Sequence, residues 1–519
     1  MKTPSPSSTR REFLQDVGRG MVTATVGFGM ARELGLTTAF ADDAPARLDF
    51  GALEPLVGLM QDTPVAKLLP ALVAQLRAGT ELRQLVAAGA LANARTFGGE
   101  DYVGFHTMMA LAPGFHMAQE LPAEQQPLPV FKVLYRNTNR IQESGGKEHE
   151  VLHQVIATTT AIPKNPGEWL RTEARSKDAA RAETAFIAVA ATPDDALNAL
   201  LHEVQDDTEV HRVVLPYRAW DLLGLIGRDH ATTLLRQSVR YCVRAENQWA
   251  GKGSRELLPK LLEEHKLLGA TPGTRAAEDQ WIEQLSATFF KSTPEQAAAA
   301  AAAALAEGMA PDAVGEAISL TANHLILRDH GRPPALEASG KPIGSVHGDS
   351  IGVHACDSAC AWRNLARVAR PRNTFACLIL GAYQVALDRT QRGGDFTNWE
   401  PLPLPRHVSE AKATDPTGLL GELDEAIRGN LQGRASGIVQ RYGQLGHGAR
   451  EVFDLLRRYA ISEDGALHAE KFFRTVTEEF AAARPAFRWR QLCALARVTA
   501  SEYGRPAPGM AEARELLKG

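Results

Sequence analysis

The sequence predicts an all-α fold, and three observations carry that expectation. Helix-starting and helix-stopping residues recur from end to end. Strand-like alternation of apolar and polar residues is nearly absent, and aromatic residues make up only 6% of the 519. The chain is 44% hydrophobic and 23% charged, enough to bury one very large core or two ordinary ones. A formal net charge of −4 gives no electrostatic footprint for nucleic acid.

The first forty-one residues stand apart from the rest. "STRREFLQ" (Ser8–Gln15) pairs Arg10 with Arg11 ahead of Phe13 and Leu14, and it resembles the twin-arginine export signal. A weakly apolar, glycine-bearing stretch follows, ending in the A-x-A pattern Ala39-Phe40-Ala41. Cleavage after Ala41 is expected, giving a mature protein that starts near Asp42. The expected location is then periplasmic or secreted, with the twin-arginine machinery as a partner in export. No mature segment approaches about twenty uninterrupted apolar residues, so no stable membrane span is expected after cleavage. The five cysteines, Cys242, Cys356, Cys360, Cys377 and Cys493, are scattered and odd in number, and they imply no disulfide framework.

The mature chain reads as roughly fifteen to twenty helices. "STPEQAAAAAAAALAEG" shows the grammar: Thr293 caps, Pro294 takes the first helical position, Gln296 completes a capping box and Gly308 stops the helix. "ALNALLHEV" and "EVFDLLRRYA" carry apolar residues at three- and four-residue spacings. Loops are marked by "QELPAEQQPLP", "AIPKNPGEW", "GRPPALEASGKPIG" and "RGGDFTNWEPLPLPRH". The order of helices also suggests a duplication. Segment 76–106 pairs with 305–330 continuing into "IGSVHG", so that His106 answers to His347. Segment 209–224 pairs with 466–480. The expected organisation is a signal at 1–41, an N-terminal helical half at 42–280 and a C-terminal half at 281–519, packed pseudo-symmetrically.

Histidines supply the candidate chemistry. His106, His211, His347 and His354 lie on or beside apolar helix faces near helix starts, and neutral imidazole serves as metal ligand or general base. They are expected to face the interior and share one site at the junction of the halves. The bland alternative is that each is a buried partner of a helix end. Cys356 and Cys360, one turn apart, are expected to pack unpaired into apolar surroundings. His149-Glu150-Val151-Leu152-His153 is formally H-E-x-x-H, which on a helix would set His149 and His153 to bind zinc with Glu150 as general base. No phosphate loop, dinucleotide fingerprint, G-x-S-x-G elbow or c-type haem motif is present.

The order of "GFHTMMALAPGFHMAQEL", "EVHRVVLPYRAWDLLGLIGRDHATTLLRQSVRYC" and "GSVHGDSIGVHACDSACAWRNL", the last followed by "TFACLILGAYQVAL", resembles the questin oxidase-like family over about residues 75–390. The resemblance implies a helical fold and histidines that fall on His106, His211, His347 and His354. Fungal members are associated with NADPH- and oxygen-dependent ring opening of anthraquinones, and many bacterial relatives have no established activity. This chain departs from the pattern at Gly348-Asp349-Ser350, where the family's histidine motif usually continues with a Val-Thr-like pair. NADPH is also absent outside the cytoplasmic membrane, so electrons there would have to come from the substrate or another protein. The expected function is an exported oxygenase-type oxidoreductase acting on a small aromatic molecule, with a transition metal as a candidate cofactor. Its alternatives are a non-catalytic helical binding or scaffold protein, and a zinc peptidase built on His149 and His153.

Overall fold

Helix grammar in the sequence turns into helices throughout the described residues. The computed structural model describes residues 46–157, 161–248, 253–390 and 396–518. The export signal expected at 1–41 lies outside these residues. Among the described residues there are 23 α-helices and no β-strand, so the protein is an all-α, multi-helical domain. Among the described residues no helix is long and apolar enough to cross a membrane. Residues 49–519 form one compact unit, and helix Asp279–Lys291 runs through the position where the two halves were expected to part.

The helix count exceeds the sequence expectation because prolines read as loop markers also open helices. Pro127, Pro166 and Pro405 each sit at a first helical position. The alanine-rich segment behaves as its sequence dictates. Pro294–Ala306 is helical, Thr293 and Gln296 form a reciprocal capping box, and Gly308 turns the chain away with φ +82°.

Ten helices build the centre of the molecule. They are α1 (Leu82–Phe97), α2 (Tyr102–Gln119), α3 (Pro127–Glu143), α4 (Val210–Ile226) and α5 (Ala231–Gln248), then α6 (Pro311–Arg328), α7 (Ile351–Val368), α8 (Pro371–Thr390), α9 (His468–Ala482) and α10 (Arg488–Glu502). The first five and the last five follow one pattern. In each set the second helix packs against both its flanking helices, and the fourth packs against the fifth. At the centre the sets interlock in a closed cycle, with α2 against α4, α4 against α7, α7 against α9, and α9 back against α2.

A buried ion pair also ties the two sets together. Lys132 of α3 donates to the Ala460 and Glu463 carbonyls at 2.8 and 2.6 Å and lies 2.7 Å from the Glu470 carboxylate of α9. Both partners are almost fully shielded from water, so each charge needs the other.

Candidate functional site

Each helix in the central cycle carries a histidine in its first five residues. His106 is the fifth residue of α2, His211 the second of α4, His354 the fourth of α7 and His468 the first of α9. Two local motifs explain how α2 and α7 deliver theirs. Asp101-x-x-Gly104-x-His106 is matched by Asp349-x-x-Gly352-x-His354. Asp101 caps α2 by accepting from the Gly104 amide at 2.7 Å, and Ser350 caps α7 by accepting from Val353. The glycines allow the preceding helix to come close. A Cβ at Gly104 would stand 2.5 Å from the Phe97 ring, and one at Gly352 would stand 2.5 Å from the Ile326 Cα.

The imidazoles meet as a ring of two close pairs. His106 Nε2 and His211 Nε2 are 3.2 Å apart, and His354 Nε2 and His468 Nε2 are 3.3 Å apart. The pairs are joined by His106–His468 and His211–His354 ring contacts, with centroids 5.2 and 5.6 Å apart. His106, His211 and His468 are buried, while His354 keeps partial exposure.

The outward nitrogens fix the tautomers. His106 Nδ1 is 2.7 Å from the Tyr102 carbonyl, His468 Nδ1 is 3.1 Å from the Ala466 carbonyl, and His211 Nδ1 is 2.6 Å from a Glu209 carboxylate oxygen. Carbonyls and ionised carboxylates only accept, so these three Nδ1 atoms carry hydrogen and donate. In the neutral imidazoles the lone pairs are then on Nε2, aimed into the ring. The Nε2 atoms of His106 and His211 therefore face each other at 3.2 Å.

The surroundings keep His106, His354 and His468 neutral. Burial, the Lys471 charge and the neighbouring imidazoles push His106 and His468 well below the usual histidine range. Burial, then His211 and Lys471, hold His354 down to about 3. Lys471 is itself lowered to about 8 by burial, against the opposing charges of Asp357 and Glu470. The positive ends of the four helices act in the same direction.

Glu209 organises the α4 side of the site. Its carboxylate caps α4 by accepting from the His211 and Arg212 amides, holds His211 Nδ1, and accepts the Tyr241 hydroxyl at 2.6 Å. Burial works against its charge, but the His211 and Tyr241 contacts outweigh it and hold the pKa at about 2. Behind His211 lies a cavity of about 280 Å³ lined by Tyr102, Phe105, Glu209, His211 and Tyr241, with Glu100 and Arg244 also on its wall. Phe105 stacks on His106 with centroids 4.9 Å apart and lies 5.0 Å from His211.

The structure thus brings together three of the four histidines selected from the sequence, His106, His211 and His354. His347 stands outside the ring. It precedes α7, and its nitrogens engage the Ser501 hydroxyl at 2.9 Å, the Gly340 carbonyl at 2.9 Å and Arg505 at 2.6 Å. The counterpart of His106 is His354, because the capped turn that positions the imidazole starts at Asp349 and Ser350. His468 was missed. Its one sequence signal was the pairing of 209–224 with 466–480, which sets His211 against His468. Before it, Ala466 and Leu467 adopt φ +51° and +68°, left-handed backbone that is costly for residues with a side chain and gathers at functional sites.

Two other expectations are also corrected. Residues 150–157 are not helical, and Glu150 is 3.1 Å from Arg95 Nε and accepts from Gln61. The helix that would make His149 and His153 a zinc pair with Glu150 as base is therefore missing. Cys360 is not in apolar surroundings, since its thiol donates to Glu478 at 3.1 Å. Cys356 is buried, and all five cysteines are free.

Among the described residues, no group of three or more His, Cys, Asp or Glu side chains is placed so that it could hold a metal ion. The ring is two close pairs, which a cation would have to draw together. Compared with known proteins, the chain matches no family model, and no curated protein and no solved structure is similar to it.

Proposed function

We propose that the protein is an exported, oxygenase-type oxidoreductase of the questin oxidase-like kind, acting on a small aromatic molecule at a metal ion held by His106, His211, His354 and His468. The supporting observation is the contact of His106 Nε2 with His211 Nε2, two ring nitrogens that face each other in a buried site with their Nδ1–H groups already committed. A transition-metal ion would draw such converging nitrogens together, and imidazole suits iron and copper as well as zinc. The outer contacts from Tyr102, Glu209 and Ala466 are of the kind that orient metal-bound histidines. When bound, such a metal would supply the electron transfer to oxygen that side chains cannot perform.

The chain's own residues would do the rest. Tyr102, Phe105 and Tyr241 give the cavity beside His211 an aromatic wall, which supports an aromatic substrate. Its volume of about 280 Å³ lies just below the usual range of small-molecule sites, about 300–1,000 Å³.

Elemental analysis of protein exported by its native host tests the reading. Stoichiometric iron, copper or manganese, lost in His468→Ala, is the expected result. A second reading is a non-catalytic helical binding or scaffold protein, favoured by the lack of a ready metal-binding group. There a second proton on His211, facing Glu209, would donate to His106. Metal-free protein with an intact fold would leave that reading standing.

A further inference from the structure

A separate cavity of about 670 Å³ lies among helix Asp279–Lys291, α6, helix Gln432–Gln444 and α10, with residues 401–403 along one side. None of the four ring histidines lines it. Its size falls inside the range of small-molecule sites, about 300–1,000 Å³. Leu320, Leu327, Leu402 and Trp489 make its wall mostly apolar. Trp489 rests against Gly443, where a Cβ would come 2.4 Å from the indole.

His324 has one ring nitrogen left over in this cavity, and its chemistry is fixed by its neighbours. Arg328 Nη1 lies 2.9 Å from His324 Nδ1, and a guanidinium only donates. His324 Nδ1 is therefore the acceptor, and the ring hydrogen is on Nε2. Burial and the charges of Arg328 and Arg490 keep this imidazole neutral, with its pKa down at about 4. Among the described residues nothing accepts from the Nε2–H, and His324 lines the cavity. The cavity's charges are already matched, since Arg490 donates to Glu283 at 2.6 Å. A charged ligand would find no free counter-charge there, whereas an oxygen acceptor would find a donor.

We propose that this cavity is a second ligand site, which binds an uncharged, largely apolar molecule through an oxygen that accepts the His324 Nε2–H. This goes beyond the proposed reaction and does not depend on it. Benzophenone, an uncharged aromatic ketone that cross-links to nearby C–H bonds under near-ultraviolet light, serves as the probe. With the full mature protein, calorimetry should show a single site, and cross-links should map to segments 320–327, 401–403 or 489–493.

His324→Phe keeps the volume and removes the donor, and should weaken binding about tenfold, the worth of one hydrogen bond. His324→Gln restores an N–H and should recover most of the affinity. His468→Ala, which damages the ring, should leave binding as in the wild type. No binding up to the solubility limit overturns the proposal, as do cross-links confined to other segments or equal affinity in His324→Phe. Loss of binding in His468→Ala would assign the ketone to the ring and overturn it as well.

Discussion

Glu209 and the two motif glycines control how accurately the imidazoles are placed. Glu209 is the common acceptor for two α4 amides, His211 Nδ1 and the Tyr241 hydroxyl. Glu209→Gln removes the charge and exchanges an acceptor oxygen for a donor. It should lower metal affinity about ten- to hundredfold, the usual effect of losing a group that orients a metal-bound histidine. Chelator competition on the exported protein measures this. The glycines act through space. In Gly352→Ala the new methyl meets the Ile326 backbone, whereas in Gly104→Ala it meets the Phe97 ring, which can turn. Both should destabilise, by about 1–3 kcal/mol for overpacking, with Gly352→Ala the worse of the two in urea unfolding midpoints.

Where the two helix sets join, the Lys132–Glu470 pair links α3 to α9. Lys132→Met keeps the stem and removes the ammonium, leaving Glu470 buried without its partner. Breaking such a pair costs about 3–5 kcal/mol. The double variant Lys132→Met/Glu470→Leu removes both charges and should recover much of that loss. Differential scanning calorimetry of the three variants checks the order, and equal loss in the single and double variants would mean that packing dominates. The pair also shows why the halves cannot be read as separate bodies. Their charges are satisfied only across the join, which no local sequence pattern records.

For the molecule as a whole, burial of the histidine-bearing centre brings other ionisable groups inside. Glu502 of α10 is the clearest, with a pKa raised to about 8 by burial despite the charge of Lys132. An acid whose folded pKa lies above its unfolded value binds more protons in the folded state. Its contribution to stability is present below the unfolded pKa of about 4.5 and is lost as pH rises through about 8. Glu502→Gln should therefore flatten the fall in urea midpoint between about pH 5 and about pH 8.5 relative to wild type. An identical pH dependence in both proteins would show that Glu502 ionises freely in the fold.

Helix identity was legible in the sequence because it is local. Capping boxes, prolines at first positions and stopping glycines act within a few residues, as at Thr293, Pro294 and Gly308. The same local rules placed His106, His211 and His354 near helix starts. They could not decide between His347 and His354, seven residues apart, because the choice turns on whether the cap sits before or after the imidazole. Ser350 caps α7, so His354 rides on the helix while His347 is spent on Ser501 and Gly340. His468 was beyond local reading altogether. It opens its helix from a left-handed turn carried by Ala466 and Leu467 rather than by the Gly465 before them. The sequence by itself determined that the fold is helical and that His106, His211 and His354 lie near helix starts. Only the tertiary structure decided which four helix starts converge, because convergence depends on helices more than a hundred residues apart packing in one closed cycle.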